Sequence, residues 1–290
     1  MEELRVAVKI LTDSTSYIDE NIRRELDIQV ASLNVIIGEK NIREIDIDNE
    51  VFYKELKQDE IPTSSQPSID EMYQIMKSAV EQDDELVGIF LSSKMSGTYA
   101  SAHIAKEMVM EQYPGGKIEI MDSESNSMQL GFAAIVAARL AKKGETLEQV
   151  KVAVIENIQR SRFVFLPDNL EYLIKGGRIG GASALIGNLL KLIPILTVED
   201  GETTVLKKVR TKAKAGVVML EKVVQDAYKY GIKEVCVHHI NALQEAQKLA
   251  QTIKEKLNIT PTISDIGAVI GLHVGPGAIG VVYYTEDAMR

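Results

Sequence analysis

Cysteine is almost absent from the sequence, in which Cys236 is the single thiol among 290 residues. One thiol excludes an intrachain disulfide and a structural zinc site built from several cysteines. A reducing compartment is therefore expected. The N-terminus also lacks the basic start and long apolar core of a signal peptide, and no apolar run approaches the length that spans a membrane. We predict a cytoplasmic protein.

Tryptophan is missing, and the 33 basic residues are outnumbered by 42 acidic residues, which gives a net charge of −9. Binding to nucleic acid relies on clustered lysine and arginine that neutralise phosphates, so no nucleic-acid partner is expected. The 45% share of hydrophobic residues is typical of a globular protein, and the length suffices for two domains of ordinary size.

β-Branched runs alternate with helical patterns over the first half of the sequence. The expected strands are 5–11, 29–37, 86–91 and 117–121, and the expected helices include 69–80, 98–110 and 129–141. Strands separated by helices of this length are typical of parallel βαβ units. The first half is therefore predicted to be an α/β domain with a doubly wound, mainly parallel sheet, extending over residues 1–158.

The second half, residues 159–290, has a different pattern because two β-rich runs, 194–199 and 203–209, are joined by Asp200-Gly201. This dipeptide between strands predicts a β-hairpin. A hairpin places neighbouring strands antiparallel, so we expect a second α/β domain with a mixed sheet.

Serines follow the predicted strand 86–91 directly, in the stretch LSSKMSGT at 91–98. In a parallel sheet this stretch lies at the carboxyl edge, together with TDST at 12–15 and MDSES at 121–125, and ligands of doubly wound folds bind at this edge. Ser92, Ser93 and Ser96 either present hydroxyls and backbone N–H groups to an anion at the start of a helix, or only cap that helix.

A second group of hydroxyls occurs in PTSSQPS at 62–68, where a proline on either side favours extended, stiff backbone. The hydroxyls of Thr63, Ser64 and Ser65 are thus expected on a rigid loop, which suits ligand binding. The alternative is that Ser68 caps a helix starting near Ile69 and that the other hydroxyls are solvated.

His273 precedes the rigid Gly-Pro-Gly of LHVGPGAIG. An imidazole there either donates a hydrogen bond to an oxyanion or packs as a core residue beside a strand. Gly275, Gly277 and Gly280 match the spacing of a dinucleotide-binding loop. We reject that interpretation because a strand, and not a helix, is predicted to follow.

Two further patterns carry little weight. Cys236 and His238 share one face of a predicted strand while His239 lies on the other, so no metal site is expected. The stretch KGGRIGG at 175–181 lacks the lysine-serine ending of a phosphate-binding loop and is typical of an ordinary helix end.

Basic residues are concentrated in LKKVRTKAKAG, which contains Lys207, Lys208, Arg210, Lys212 and Lys214. In an acidic protein such a segment is either a solvated face or a patch that docks an acidic partner or an anionic membrane surface.

Seven motifs occur in the order LTDST, PTSSQPS, LSSKMSGTYASA, MDS, YLIKGGRIG, VRTKAKA and HVGPGAIG. Together they resemble the DegV family, and the likeness extends nearly from end to end. The resemblance implies an N-terminal α/β domain with a parallel sheet, a C-terminal α/β domain, and a tunnel between or within them for a long-chain fatty acid.

By this resemblance the carboxylate of the fatty acid is held by hydroxyls of the two serine loops with the histidine nearby, here Ser64, Ser93 and His273. The family commonly has threonine at the position of Ser64, so Thr63 and Ser65 are alternative contacts. Ser92 lies beside Ser93 and is included in the predicted site.

The resemblance also implies a protein without catalytic activity or cofactor of its own. It would be the acyl-binding subunit of a bacterial fatty-acid kinase in phospholipid metabolism. A separate ATP-binding subunit would phosphorylate the bound carboxylate, and Arg210 is implied in docking that subunit. The ligand that the resemblance and the two hydroxyl loops imply is a fatty acid of about 14 to 18 carbons, such as palmitate, whose tail buries many CH₂ groups.

Two other functions remain as alternatives. A serine hydrolase would use Ser93 with His273 and Asp122, although the sequence lacks the G-x-S-x-G motif. A carrier for another small carboxylate or an isoprenoid would use the same polar loops with a different cavity.

Overall fold

The computed structural model describes residues 6–57, 60–185 and 192–289. Contacts divide the chain into a first unit, made of residues up to Asn34 and Ser64–Ile158, and a second unit, made of Val35–Thr63 and the residues from Gln159. The first unit ends at Ile158 and the second continues from Gln159. Residues 35–63, which the prediction placed in the first domain, pack instead with the second unit.

The helices and strands follow one another along both units. From the amino end they are β1 (Val8–Asp13), α1 (Glu20–Glu25), β2 (Ile28–Ala31), β3 (Asn34–Ile37), β4 (Lys40–Arg43), α2 (Asn49–Glu55), β5 (Thr63–Ser65), α3 (Ile69–Glu81), β6 (Glu85–Phe90), α4 (Thr98–Gln112), β7 (Ile118–Asp122), α5 (Ser127–Lys143) and α6 (Leu147–Arg160). They continue as β8 (Ser161–Leu166), α7 (Glu171–Lys175), β9 (Ile193–Glu199), β10 (Glu202–Val209), α8 (Lys212–Tyr230), β11 (Glu234–His239), α9 (Leu243–Leu257), β12 (Thr262–Asp265), α10 (Ala268–Val274) and β13 (Ile279–Tyr284).

The first unit contains a parallel sheet with the strand order β2-β1-β6-β7, as predicted. Thr12 of β1 pairs with Ile89 of β6, and Phe90 of β6 pairs with Asp122 of β7. Strands β1, β6 and β7 therefore end at the same level. Their carboxyl ends carry the three polar stretches that the sequence analysis placed at one edge.

The core of the first unit lies between this sheet and helices α3 and α4. Leu86 and Phe90 of β6 are fully buried against Met72 and Met76 of α3. The buried side chains recur on one face of α3, as expected for an amphipathic helix that covers a sheet.

The expected strand 29–37 is in fact two strands, β2 and β3, which lie in different sheets. Between them the Leu33 N–H donates to the Ser14 hydroxyl at 3.0 Å, and the Ser32 hydroxyl donates to the Leu33 carbonyl. These side-chain hydrogen bonds replace strand pairing, so the β ladder is interrupted there.

The second unit contains a mixed sheet with the order β10-β9-β8-β13-β11-β12. Neighbouring strands are antiparallel except for the parallel pair β11 and β12. The predicted hairpin joins β9 and β10, with φ of 49° at Asp200 and 78° at Gly201, the backbone that an Asp-Gly hairpin turn requires. The α/β fold class with a parallel and a mixed sheet is confirmed.

Helices α8 and α9 cover the second sheet, and Met219, Val223, Val237 and Ile253 are fully buried between them and the strands. A further three-stranded sheet has the order β4-β3-β5. Across the described ranges, none of the helices has the length and hydropathy needed to cross a membrane.

Candidate functional site

The three serines that follow β6 have different environments. Ser92 is fully buried, and its hydroxyl accepts the Lys94 N–H at 3.2 Å. The Ser96 hydroxyl accepts the N–H of Thr98, the first residue of α4, at 3.3 Å. Ser93 is exposed, and its hydroxyl has no hydrogen-bond partner among the described residues. Ser92 and Ser96 therefore cap turns, whereas the Ser93 hydroxyl is available to a ligand.

Two carboxylates hold the backbone of this loop. Asp13, at the end of β1, accepts the Leu91 N–H at 2.7 Å, and Asp122, at the end of β7, accepts the Ser93 N–H at 3.2 Å. Strands β1 and β7 lie on either side of β6, so the loop is held from both neighbouring strands. The position of Ser93 is thus defined by residues that are distant in the sequence.

The backbone N–H groups of residues 91–96 all donate within the protein. Those of 91, 92 and 93 donate to Asp13, to the Ser125 carbonyl and to Asp122, and those of 94, 95 and 96 donate to Ser92. Of the two alternatives for this loop, these contacts disfavour anion binding by the N–H groups of residues 91–96. What this loop offers to a ligand is the hydroxyl of Ser93.

Asp13 is fully buried, and burial raises the pKa of its carboxyl to about 6. Hydrogen bonds from the Thr15 hydroxyl at 2.5 Å, the Leu91 N–H and the Thr15 N–H oppose this rise, because they favour the charged form. Asp13 was not among the predicted site residues, although the stretch TDST that contains it was expected at this edge. Its signal was an acidic residue at the end of an apolar strand, next to a hydroxyl-rich turn.

Within the first unit, the loop that carries Ser64 and Ser65 lies beside the loop that carries Ser93. A Cβ added to Gly97 would lie 3.3 Å from Oε1 of Gln66, so the Gln66 side chain packs directly on that glycine. Ser64 and Ser65 are half-buried in β5. The loop that contains Ser64 and Ser65 therefore contacts the start of α4, four residues after Ser93.

Helix α3 begins at Ile69, close to its predicted start, and Ser68 occupies the position before it. The Ser68 side chain forms no capping hydrogen bond among the described residues, so the predicted cap is absent. The acidic residues Asp70 and Glu71 lie in the first turn, where they interact favourably with the helix dipole.

In the second unit, His273 lies in the last turn of α10, a helix that the sequence analysis did not predict. Its imidazole packs against the backbone of Gly176, where a Cβ would lie only 2.4 Å from Nδ1. The glycine at this position of KGGRIGG is therefore required by the close approach of His273, and not only by the end of α7.

Burial, together with the nearby positive charge of Arg178, lowers the pKa of His273 to about 4. The imidazole is therefore neutral at pH 7 and donates a hydrogen bond from only one of its two nitrogens. Arg178 is exposed, and its guanidinium donates to the Gly176 carbonyl at 2.6 Å. Arg178 was not among the predicted site residues, because KGGRIGG was interpreted as an ordinary helix end.

The glycines that follow His273 are also required by packing. Gly275 has a φ of +88°, and a Cβ there would lie 2.4 Å from the ring of Tyr172. Gly277 has a φ of +84° and packs on Asp168. Strand β13 follows these glycines, where a dinucleotide-binding loop would need a helix. The motifs YLIKGGRIG and HVGPGAIG thus form one packed structure.

The basic segment is attached to this structure through Lys212, which forms an ion pair with Asp168. Arg210 lies two residues earlier, between β10 and α8, where it is exposed. Among the described residues it has no ion-pair partner. Its guanidinium is therefore available to a partner molecule.

The predicted site residues are distributed over both units. Ser64, Ser65, Ser92 and Ser93 belong to the first unit, and Thr63, His273 and Arg210 belong to the second.

Asp122, the third residue of the alternative hydrolase triad, accepts hydrogen bonds from loop backbone. One carboxylate oxygen accepts the Ser93 N–H and the other accepts the Glu124 N–H at 2.8 Å. Asp122 therefore holds the backbone of the loops that follow β6 and β7. In the part of the chain that the structure describes, no group of three or more His, Cys, Asp or Glu side chains is arranged to hold a metal ion.

The chain is similar to known proteins over nearly its whole length. The model of the DegV family of uncharacterised proteins matches residues 7–286. A DegV domain-containing protein of Clostridium acetobutylicum is 57% identical over 285 residues, which are 98% of this chain and 100% of that protein.

Solved structures are similar over the same length. The crystal structure of DegV from Bacillus subtilis, described as a fatty acid binding protein, is 34% identical with a TM-score of 0.87, and the match covers 97% of this chain and 99% of that one. A DegV family protein from Thermus thermophilus, described by its fatty acid binding, is 28% identical with a TM-score of 0.85, covering 97% and 100%.

Proposed function

Since the chain belongs to the DegV family, we propose that it binds a long-chain fatty acid and holds the carboxylate at Ser93. The observation that carries the proposal is the Ser93 hydroxyl, which is exposed and unpartnered among the described residues while Asp13 and Asp122 hold its backbone. Little entropy is lost when so rigid a donor binds. The fatty acid binding described for the B. subtilis and T. thermophilus proteins supports the ligand class.

The other ligands of the carboxylate come from the remaining polar residues of the predicted site. Ser64 supplies a second hydroxyl, with Thr63 and Ser65 as the alternatives. His273 acts as a neutral N–H donor, because burial keeps its pKa near 4. Arg178, whose charge acts on His273, supplies positive charge near that imidazole.

Most of the affinity comes from the tail. About fifteen carbons of a 16-carbon acid, at about 0.8 kcal/mol for each buried CH₂ group, give about 12 kcal/mol before the cost of association. The polar groups therefore set the orientation of the ligand more than the strength of binding.

Mass spectrometry of lipids extracted from the denatured, purified protein tests the ligand class. We expect a fatty acid of about 14 to 18 carbons, the length whose buried tail gives this affinity. Another carboxylate or an isoprenoid in its place would favour the alternative carrier function. Recovery of ligand-free protein that binds neither palmitate nor oleate by calorimetry would refute the proposal.

We further propose that the bound acid is the substrate of an ATP-binding kinase subunit. One carboxylate oxygen attacks the γ-phosphorus of ATP, the bond from that phosphorus to the bridging oxygen breaks, and ADP leaves with acyl phosphate as the product. Arg210 is proposed to dock the partner, because it is exposed next to a segment that Lys212 ties to the His273 loop.

Arg210→Ala tests the docking role. It should lower acyl-phosphate formation with the partner subunit while lipid occupancy stays unchanged. Lys248→Ala is the matched control, since Lys248 is an exposed cation on α9 of the same unit. Equal effects of both variants would mean that net charge alone matters, and binding of the basic segment to anionic vesicles would favour membrane contact.

The hydrolase alternative predicts that a fluorophosphonate probe labels Ser93. We expect no labelling, because both oxygens of Asp122 accept backbone N–H groups and, in the described part of the chain, neither contacts a histidine. Labelling that Ser93→Ala abolishes would favour the hydrolase.

A further inference from the structure

Residues 35–63 leave the first unit and pack within the second. We call this segment the brace. Its helix α2 buries Phe52 and Tyr53, and its turn at 44–46 buries the charged side chain of Glu44, which is 5% exposed. A buried carboxylate and a buried phenol require hydrogen-bond partners, and those partners identify what the brace holds.

Tyr53 contacts the start and the middle of helix α10. Its hydroxyl lies 2.9 Å from the carbonyl oxygens of Ile266 and Gly267, which share its one hydrogen as acceptors. At Gly271, inside the helix, a Cβ would lie 1.8 Å from the same hydroxyl. No side chain fits there, so the glycine exists to let Tyr53 approach the helix backbone.

Glu44 satisfies the first turn of the same helix. Its carboxylate accepts the Val269 N–H at 2.9 Å, whereas Gly267, at the N-cap position, has no side chain with which to accept it. Helix α10 has only seven residues, and a helix of that length is unstable unless other parts of the protein stabilise it. The brace supplies this stabilisation.

A third contact lies just before α10. Asn49 of the brace donates to Asp265 at 2.9 Å, and the other oxygen of Asp265 lies 3.2 Å from Nδ1 of His239. The end of β12, from which the chain enters α10, is therefore also attached to the brace.

From these contacts we propose that the brace positions the His273 imidazole for the ligand carboxylate, with Tyr53 and Glu44 as positioning residues. His273 lies in the last turn of α10, and Tyr53 and Glu44 hold the turns before it. The brace ends at Thr63, itself one of the predicted site residues. The proposal deepens the proposed fatty acid binding and rests on it.

The test compares two tyrosine variants. Tyr53→Phe keeps the ring and removes the hydroxyl. Tyr284→Phe is the matched control, since it removes a tyrosine hydrogen bond of the same unit, to Glu234 at 2.7 Å. By calorimetry, Tyr53→Phe should weaken palmitate binding about 3- to 10-fold and the control by less than about twofold, since one indirect contact is worth less than a direct one. In a His273→Ala background Tyr53→Phe should have no further effect.

Glu44 gives a second, milder test. Glu44→Gln retains an acceptor oxygen for the Val269 N–H and should bind palmitate as the wild type does. Glu44→Ala should lose affinity as Tyr53→Phe does. Equal affinities for both Glu44 variants would contradict the positioning role.

NMR of the imidazole gives a measurement that does not depend on the ligand. His273 is one of four histidines, so its ring signals can be assigned with His273→Ala. Tyr53→Phe, and not Tyr284→Phe, should shift these signals and move the His273 titration upward from about 4 towards 6.5. If wild-type protein binds no fatty acid, the proposed function fails, while this comparison still decides the role of the brace. Unchanged His273 signals, or equal affinity losses with and without His273, would overturn the inference.

Discussion

Replacing Ser93 by alanine removes one hydroxyl that bonds to nothing else among the described residues. The backbone contacts with Asp13 and Asp122 do not involve the side chain and should persist in the variant. We therefore expect Ser93→Ala to leave the free energy of unfolding unchanged within about 0.5 kcal/mol, as for surface substitutions without structural contacts.

The effect on binding should be large by contrast. A hydrogen bond from a hydroxyl to a charged carboxylate is worth about 1.5 to 3 kcal/mol, which corresponds to a loss of affinity of about 10- to 150-fold. Calorimetry with palmitate measures this loss, and urea unfolding of the same preparation measures stability.

The neighbouring serine provides the matched control. Ser92 is fully buried and its hydroxyl accepts the Lys94 N–H, so Ser92→Ala should cost about 1 kcal/mol of stability and leave the ligand hydroxyl in place. A change in palmitate affinity below about threefold in Ser93→Ala would refute the assignment, since it is less than the weakest charged hydrogen bond. A loss of stability equal to that of Ser92→Ala would show that Ser93 is only a cap.

The buried groups Asp13 and Cys236 and the close packing at Gly176 can each be tested by a substitution or a label. Asp13 has a folded-state pKa of about 6 against the ordinary 3.8. Its protonated carboxyl therefore contributes to the free energy of unfolding below pH 3.8, and this contribution is lost as pH rises through 6. The unfolding free energy of wild type minus that of Asp13→Asn should fall by about 3 kcal/mol between these pH values in urea titrations, and a flat difference would contradict this. Gly176→Ala places a Cβ against His273 and should lower the free energy of unfolding by about 1 to 3 kcal/mol. In the control Gly216→Ala the new Cβ meets open space and should not destabilise the protein. Equal unfolding midpoints of the two variants would argue against the close approach of His273 to Gly176. Burial raises the pKa of Cys236 to about 12, so intact-mass measurement should find native protein unalkylated by iodoacetamide, and rapid native labelling would disprove its burial.

The parallel and mixed sheets were predictable because their signals are local. Alternating apolar runs and helical patterns indicate βαβ units, and Asp200-Gly201 indicates a hairpin wherever it joins two strands. The two hydroxyl loops were found for a similar reason, since prolines and serines directly after an apolar strand are visible in a short window.

The brace and helix α10 were not predictable in this way. Helix α10 is too short for a helical period to stand out, and it depends on Tyr53 and Glu44, which are distant in the sequence. Residues 35–63 were predicted to belong to the first domain because they lie within the first half of the sequence. In the structure they pack with the second unit.

The sequence by itself determined which loops carry polar groups at the carboxyl ends of the strands. Only the tertiary structure decided which hydroxyl of the loop after β6 is free to bind a ligand. The partners that occupy the N–H groups of residues 91 and 93 come from β1 and β7, which adjoin β6 in the sheet but not along the chain. A hydrogen bond is satisfied by proximity in space, so the availability of Ser93 depends on strand order, which no short stretch of sequence encodes.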